Sequence, residues 1–316
     1  MSTPTGSRWQ ATFYKDRRVT ASDGTSLAYT LRGKGKGVPV AFINGWTCPD
    51  SYWSRIGPAM MDAGHPVLYL DLRGHGDSGL PRPPGLAARN LRPEDVSADR
   101  LAHDVAEVIE ASGLEQAVLV GHSMGVQALI ETARVAPARV AGLIPIAGTF
   151  ENPVKSFADL PVLDRLYPIA DVLFRFMPFE VLRPVIRRTA NPEIGVKVVR
   201  AIKVGGPKVT AGDMAAHMAH VGEVNFSVLF KMMTALRAHK TVDFLPKITQ
   251  PTLVLAGRRD LFTPPSVQQQ MAKLIPGAEI VWFEEGGHLL PIEEGDGVIA
   301  AMADFLARLD SARLGA

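Results

Sequence analysis

Hydrophobic and polar residues alternate in two short segments near the start of the chain, 18–21 and 26–31. The four residues between them are Ser22-Asp23-Gly24-Thr25. An Asp-Gly pair between two alternating segments is typical of a tight hairpin turn. We therefore expect the chain to begin with an antiparallel β-hairpin at the edge of a sheet.

Continuous apolar runs, rather than alternating ones, follow the hairpin. Most of them are short, are bounded by glycine or proline, and precede a stretch with helical periodicity. Such runs are typical of strands that are buried on both faces of a parallel sheet. The runs are 38–43, 66–70, 117–120, 140–146, 251–257 and 279–283. Together with the hairpin they predict about eight strands, mostly parallel, with helices on both faces.

Helical stretches separate these runs. The clearest is 98–110, which Ser97 can cap and in which Leu101, Val105 and Ile109 share one face. Further helices are predicted at 126–135, 266–274 and 297–309. The pattern therefore predicts the α/β class of fold.

The alternation of strands and helices is interrupted between residues 150 and 247. Apolar residues recur there at helical spacing and prolines are frequent, which indicates a set of short helices. The residues at that spacing are Leu166, Ile169, Val172, Leu173 and Phe176. We therefore expect a core in two parts, 1–149 and 248–316, with a helical cap inserted at 150–247.

Composition limits the class of protein. The 316 residues are 47% hydrophobic and 21% charged, and the net charge of +2 is too small to indicate a nucleic-acid partner. No apolar run reaches the roughly 18 residues of a membrane span, and the first residues do not resemble a signal peptide. The single Cys48 excludes an internal disulfide and a cysteine metal cluster. These features predict a cytoplasmic globular protein.

A candidate nucleophile follows one of the apolar runs. Gly121-His122-Ser123-Met124-Gly125 comes directly after the run 117–120 and opens the predicted helix 126–135. A serine at a sharp turn from strand to helix needs small neighbours two positions away, and the turn exposes its hydroxyl. The N–H of the next residue, Met124, can then face a developing oxyanion.

A base and an acid are expected near that serine. Among the eight histidines, His288 is the candidate base, because it lies in a glycine loop directly after the apolar run 279–283. Asp260 follows the run 251–257 at the same edge of the sheet, where open parallel sheets place their sites. Glu151 is a weaker candidate acid. Asp71 is better explained as a turn former.

These residues together resemble the α/β-hydrolase superfamily. The resemblance rests on the chain order Ser123, Asp260, His288 and on the GHSMG, DLRGHGDSG, GRRD and GGH segments. It covers nearly the whole chain and implies an α/β-hydrolase fold with a helical cap. Dehalogenases and epoxide hydrolases of the superfamily carry an aspartate at the nucleophile position, so Ser123 argues against alkyl-enzyme chemistry.

The resemblance also implies the second half of an oxyanion hole. In the equivalent loop the backbone N–H of Trp46 would join that of Met124. The chain departs from the superfamily at two places. Asn44 stands where histidine is customary, and Val126 replaces a small residue that is frequent after the nucleophile. The indole of Trp46 could equally belong to the core or to a pocket wall.

The expected activity is hydrolysis of a carboxylic ester or lactone with a small to medium apolar acyl group, through an acyl-enzyme on Ser123. The same residues would also serve a carbon-carbon bond hydrolase, a cofactor-free perhydrolase or an acyltransferase. A ligand-binding receptor with slow or no turnover is the alternative outside enzymes. No metal-binding spacing or phosphate loop is present, so we expect no cofactor, no metal, and a small-molecule ester-like substrate.

Apolar residues of the predicted cap are candidates for an adaptable acyl pocket, although such residues more often form a core of their own. The candidates are Met177, Met214, Met218, Met232, Met233, Phe174, Phe176, Phe179, Phe226 and Phe230.

Overall fold

The computed structural model describes residues 13–81, 91–156, 164–169, 172, 191–201 and 204–315. Its centre is one eight-stranded sheet. The strands are β1 Arg17–Thr20, β2 Ser26–Arg32, β3 Val40–Ile43, β4 Val67–Leu70, β5 Ala117–His122, β6 Val140–Ile146, β7 Leu253–Gly257 and β8 Glu279–Phe283. Each strand overlaps one of the segments predicted from the hydrophobic pattern, so the predicted number of strands is confirmed.

The strand order is β1-β2-β4-β3-β5-β6-β7-β8. Strand β2 pairs antiparallel with both β1 and β4, whereas every other neighbouring pair is parallel. The predicted hairpin at the sheet edge and the mostly parallel sheet are therefore both confirmed. Because β3 to β8 all run in one direction, their carboxyl ends meet at one edge.

Helices cover both faces of this sheet. The α-helices are α1 Ile56–Asp62, α2 Ala98–Ala111, α3 Met124–Val135, α4 Pro153–Ser156, α5 Pro192–Ala201, α6 Ala211–Glu223, α7 Phe226–Ala238, α8 Pro265–Leu274, α9 Leu290–Glu293 and α10 Gly295–Leu314. Residues 164–169 are also helical. Short 3-10 helices lie at Asp50–Trp53, Pro93–Val96, Pro137–Arg139 and Leu245–Lys247.

Alternate residues of the buried strands supply two apolar cores. On β3, Ala41 and Ile43 join the core under α2, α3 and α8, whereas Val40 and Phe42 join the core under α1 and α10. All four side chains are buried, which requires a strand without polar positions. This two-sided burial is the reason that the strands appear in the sequence as continuous apolar runs.

Helices α4 to α7 lie between β6 and β7, within the segment predicted as a cap at 150–247. Leu173, Phe174, Phe176, Met177 and Phe179 lie outside the described residues. Within the described ranges, no helix is both long and apolar enough to span a bilayer.

Arg73 connects the predicted turn at 71–79 to two other elements. Its guanidinium is fully buried and donates two hydrogen bonds of 2.6 Å to Asp104 of α2 and one of 2.6 Å to Asp23 of the hairpin turn. A fourth hydrogen bond, 2.9 Å long, reaches the carbonyl of Asp95. A bidentate pair of this kind fixes direction as well as distance, so the turn, the hairpin and α2 are held in one arrangement.

Replacing Arg73 with methionine should lower the free energy of unfolding by roughly 3–5 kcal/mol, because the buried Asp104 carboxylate loses its main partner. The double variant R73M/D104L should recover much of that loss, since it removes both charges. Urea unfolding of the three proteins measures both effects. A single variant that loses less than about 1 kcal/mol would contradict this account of the turn.

Candidate active site

The backbone at Ser123 turns sharply from β5 into α3, with φ of 54° and ψ of −116°. A Cβ at Gly121 would lie 2.5 Å from the carbonyl oxygen of Gly125, and a Cβ at Gly125 would lie 2.4 Å from that of Ile43. Neither position can hold a side chain without moving backbone atoms. The two glycines are therefore required by the close packing of strand and helix, as the sequence predicted.

The three residues predicted as nucleophile, base and acid lie in one hydrogen-bonded line. His288 Nε2 is 3.0 Å from Ser123 Oγ, and His288 Nδ1 is 3.1 Å from Asp260 Oδ2. Ser123 follows β5, Asp260 follows β7 and His288 follows β8, so all three stand at the carboxyl edge of the sheet. The structure brings these residues together; their catalytic roles stay predictions.

The carboxylate of Asp260 is completely buried and fixed by its own loop. Its Oδ1 accepts from the backbone N–H groups of Phe262, at 2.8 Å, and Thr263, at 2.9 Å. Its Oδ2 accepts from the Thr263 hydroxyl at 2.6 Å and from Gln268 Nε2 at 3.3 Å. With this many donors the carboxylate has one orientation, and in it Oδ2 faces the imidazole of His288.

His122, the residue next to Ser123, is buried. Its Nε2 lies 2.8 Å from the carbonyl oxygen of His288. Because a carbonyl can only accept, Nε2 carries the proton. Burial lowers the pKa of His122 to about 3, which keeps the ring neutral. His122 therefore holds the backbone of His288 through its carbonyl, without adding charge to the site.

Glu293, which the sequence analysis does not identify, holds the loop of His288 through its carboxylate. Its carboxylate accepts from the N–H groups of Gly287 at 3.2 Å, Leu289 at 3.1 Å and Gly206 at 2.9 Å. Burial raises the pKa of this carboxyl. The sequence does contain a signal for this role, because Glu293 directly follows the apolar stretch 289–292, which comes just after His288. A carboxylate there needs buried partners.

The competing acids do not reach His288. Glu151 contributes backbone atoms, with its carbonyl accepting from Gln127 Nε2 at 3.1 Å. Asp71 accepts from the N–H of Asp77 at 2.8 Å within its own turn and pairs with Lys15 at 3.3 Å, in agreement with its prediction as a turn former.

Asn44 shows how the loop after β3 is held without the customary histidine. Its Oδ1 accepts from Trp53 Nε1 at 2.5 Å, and its Nδ2 donates to Asp50 Oδ1 at 2.7 Å. Both ends of the amide are therefore bound. Among the described residues, the loop and turn hydrogen bonds of the backbone do not use the N–H groups of Trp46 and Met124, and their role as oxyanion donors stays a prediction.

The indole of Trp46 is a wall of the site. It lines the cavity next to Ser123, and its Nε1 donates to the carbonyl of Leu229 on α7 at 3.1 Å. This hydrogen bond joins the loop after β3 to a helix of the predicted cap.

The second departure from the superfamily, Val126, packs against Gly148, which follows β6. A Cβ at Gly148 would lie 2.2 Å from Val126 Cγ2 and 2.8 Å from the carbonyl oxygen of Ser123. The branched side chain of Val126 therefore fits because residue 148 is a glycine.

A cavity of about 170 Å³ opens on Ser123 and His288. Its lining is mostly apolar and comes from both the core and the predicted cap. The apolar lining residues are Trp46, Met124, Pro153, Val199, Val204, Met214, Met233, Leu236, Phe262 and Leu289. Two of the predicted pocket residues, Met214 and Met233, are among them. Met232 instead belongs to the core under α2 and α3, where it is fully buried.

Across the described ranges, no group of three or more His, Cys, Asp or Glu residues has the spacing of a metal site.

The family model described as the alpha/beta hydrolase family matches residues 40–301. The chain belongs to this family, and the protein is an enzyme of the hydrolase class with the α/β-hydrolase fold.

Relatives and solved structures cover nearly the whole chain. A protein of Variovorax paradoxus, provisionally named as carbamate hydrolase RutD, is 27% identical over 90% of this chain and 97% of its own length. The N-formylmaleamate deformylase of Pseudomonas putida is 25% identical over 94% of this chain and 98% of its own. The enol-lactonase of Burkholderia xenovorans has a similar fold, with a TM-score of 0.71, 21% identity and coverage of 92% and 100%.

Replacing Glu293 with glutamine should lower kcat for an activated ester roughly tenfold to a hundredfold and change KM much less. An amide offers one acceptor oxygen where two are used, so the loop and His288 shift relative to Ser123. Steady-state hydrolysis of p-nitrophenyl acetate measures the effect. The control is Glu294→Gln, because among the described residues the neighbouring carboxylate pairs only with the exposed Lys208. Equal losses in the two variants would contradict a positioning role for Glu293.

Proposed function

We propose that the protein is a serine hydrolase that cleaves a carboxylic ester or lactone through an acyl-enzyme on Ser123. The observation that carries this proposal is the line of hydrogen bonds from Ser123 through His288 to Asp260, two residues of which stand in the wall of a mostly apolar cavity. A serine hydroxyl needs a base within hydrogen-bond reach, and the base needs a carboxylate that holds its tautomer. Both conditions are met here.

The reaction proceeds in two steps. His288 Nε2 takes the proton of Ser123 as Oγ attacks the substrate carbonyl, and the resulting imidazolium returns that proton to the departing alcohol oxygen. Asp260 binds Nδ1–H and stabilises the imidazolium in both steps. Water then attacks the acyl-enzyme, again with His288 as base, and releases the acid.

The negative charge of the tetrahedral intermediate is taken up by the backbone N–H groups of Trp46 and Met124. The strained turn at Ser123 and the amide of Asn44 fix these two donors before substrate arrives. Donors that are already oriented lose nothing to reorganisation as the charge develops, and removing one typically costs about 10²–10³ in kcat.

The substrate is small. A cavity of about 170 Å³ is close to the roughly 150 Å³ that admits benzene, so it accepts a short acyl chain or a compact ring. The segment 150–247 acts as the cap of this cavity, because Val199, Met214 and Met233 contribute to its wall. The names of the two relatives, carbamate hydrolase and deformylase, both describe cleavage at a carbonyl carbon. They support acyl chemistry over alkyl chemistry.

Replacing Ser123 with alanine should reduce hydrolysis of p-nitrophenyl acetate by roughly 10⁴–10⁶ in kcat, because the acyl-enzyme can no longer form. The control is Ser311→Ala, since Ser311 is exposed on α10 and donates only to the carbonyl of Ala307. This variant should keep wild-type rates. Undiminished turnover by purified S123A would overturn the assignment of the nucleophile.

A fluorophosphonate probe should label Ser123 and no other residue of the native protein, as mapped by mass spectrometry of its peptides. Labelling should become very slow in His288→Ala, because the hydroxyl then lacks its base. Labelling elsewhere would contradict the proposed site. A protein that labels at Ser123 but turns over every ester far more slowly than about 1 per second would instead be a slow receptor.

A further inference from the structure

His217, on helix α6, lines the same cavity as Ser123. Its Nδ1 lies 3.2 Å from the hydroxyl of Tyr52, which is also in the cavity wall. Its Nε2 has no hydrogen-bond partner among the described residues. The ring is half-buried, and Nε2 is not among the polar atoms that are completely buried without a partner. His217 thus places in the wall of this cavity a ring with one nitrogen that has no partner among the described residues.

The proton positions around Tyr52 follow from the tautomer of His122. His122 Nε2 carries a proton because it faces the carbonyl of His288, so His122 Nδ1 is an acceptor. Cys48 Sγ lies 3.7 Å from that Nδ1. Burial raises the pKa of the Cys48 thiol to about 12, so it keeps its proton, which it can donate to His122 or to the carbonyl of Trp46 at 3.5 Å.

The Tyr52 hydroxyl then has two possible acceptors, Cys48 Sγ and His217 Nδ1. A thiol sulfur is a weak acceptor, whereas an imidazole nitrogen is a strong one. Tyr52 therefore donates to His217 Nδ1. Burial lowers the pKa of His217 to about 4, so near neutral pH the ring carries one proton, and that proton is on Nε2. His217 presents a neutral N–H donor to the cavity.

We propose that His217 determines specificity by donating this hydrogen bond to a second, uncharged oxygen of the substrate, such as a ketone, ether or amide carbonyl oxygen, and that Tyr52 positions it. This inference rests on the proposed function, because the substrate it describes is the one acylating Ser123. A substrate with a plain alkyl chain leaves Nε2–H unpaired in an apolar cavity, which weakens its binding relative to one that pairs it.

The test compares two p-nitrophenyl esters of nearly the same shape, the 4-oxopentanoate and the pentanoate. After correction for uncatalysed hydrolysis, wild type should favour the oxo ester about threefold to tenfold in kcat/KM, which is the effect of one neutral hydrogen bond. In His217→Leu the ratio should fall to about one. Tyr52→Phe, which preserves the buried ring, should lower the ratio as well, because His217 loses the partner that fixes its tautomer.

The matched control is His220→Leu, since His220 is on the same helix and its ring stacks on His75 instead of lining this cavity. It should keep the wild-type ratio. A wild-type ratio near one, or a ratio that His217→Leu leaves unchanged, overturns the inference while the proposed function stands. If wild type hydrolyses neither ester, the proposed function fails and this inference fails with it.

Discussion

The positive φ of Ser123 is the constraint on which the rest of the site depends. A left-handed backbone at a non-glycine residue costs on the order of 1–3 kcal/mol, so the surroundings must hold it. They do so through contact between β5 and α3 at Gly121 and Gly125, and through the hydrogen bond of 3.1 Å from Ser123 N–H to Ile146 on the neighbouring strand. The same turn places the N–H of Met124 at the start of α3, where the loop and turn hydrogen bonds of the described residues do not use it. The strained backbone of Ser123, its exposed hydroxyl and the position of the Met124 N–H therefore all result from the same turn.

His288 is held by the core and by the segment between β6 and β7. His122 and Glu293 hold its loop from the core, whereas Val204 of that segment accepts from His288 N–H and Gly206 donates to Glu293. The carbonyl of Val204 accepts from His288 N–H at 3.1 Å, and Val204 also lines the cavity. Movement of that segment would therefore change both the shape of the cavity and the position of the imidazole. Access to the proposed site and the position of the His288 imidazole therefore depend on the same segment.

At both departures from the superfamily, residues of other elements accommodate the side chain. Trp53 and Asp50 bind both ends of the Asn44 amide. Gly148 leaves the space that Val126 occupies. Neither residue therefore indicates a damaged site.

The sequence alone determined the sheet, because strands buried on two faces must be continuously apolar and helices with one buried face must be periodic. It also determined Ser123, Asp260 and His288 as a set, since the carboxyl ends of parallel strands converge on one edge whatever the loops do. Tertiary structure alone decided the contact of Glu293 with Gly206, the match of Val126 with Gly148, and the pairing of Tyr52 with His217. These contacts join residues 22 to 165 positions apart, and no local pattern records which side chains meet across such separations. Tyr52 and His217 line the cavity, so the selectivity that we propose belongs to the folded molecule.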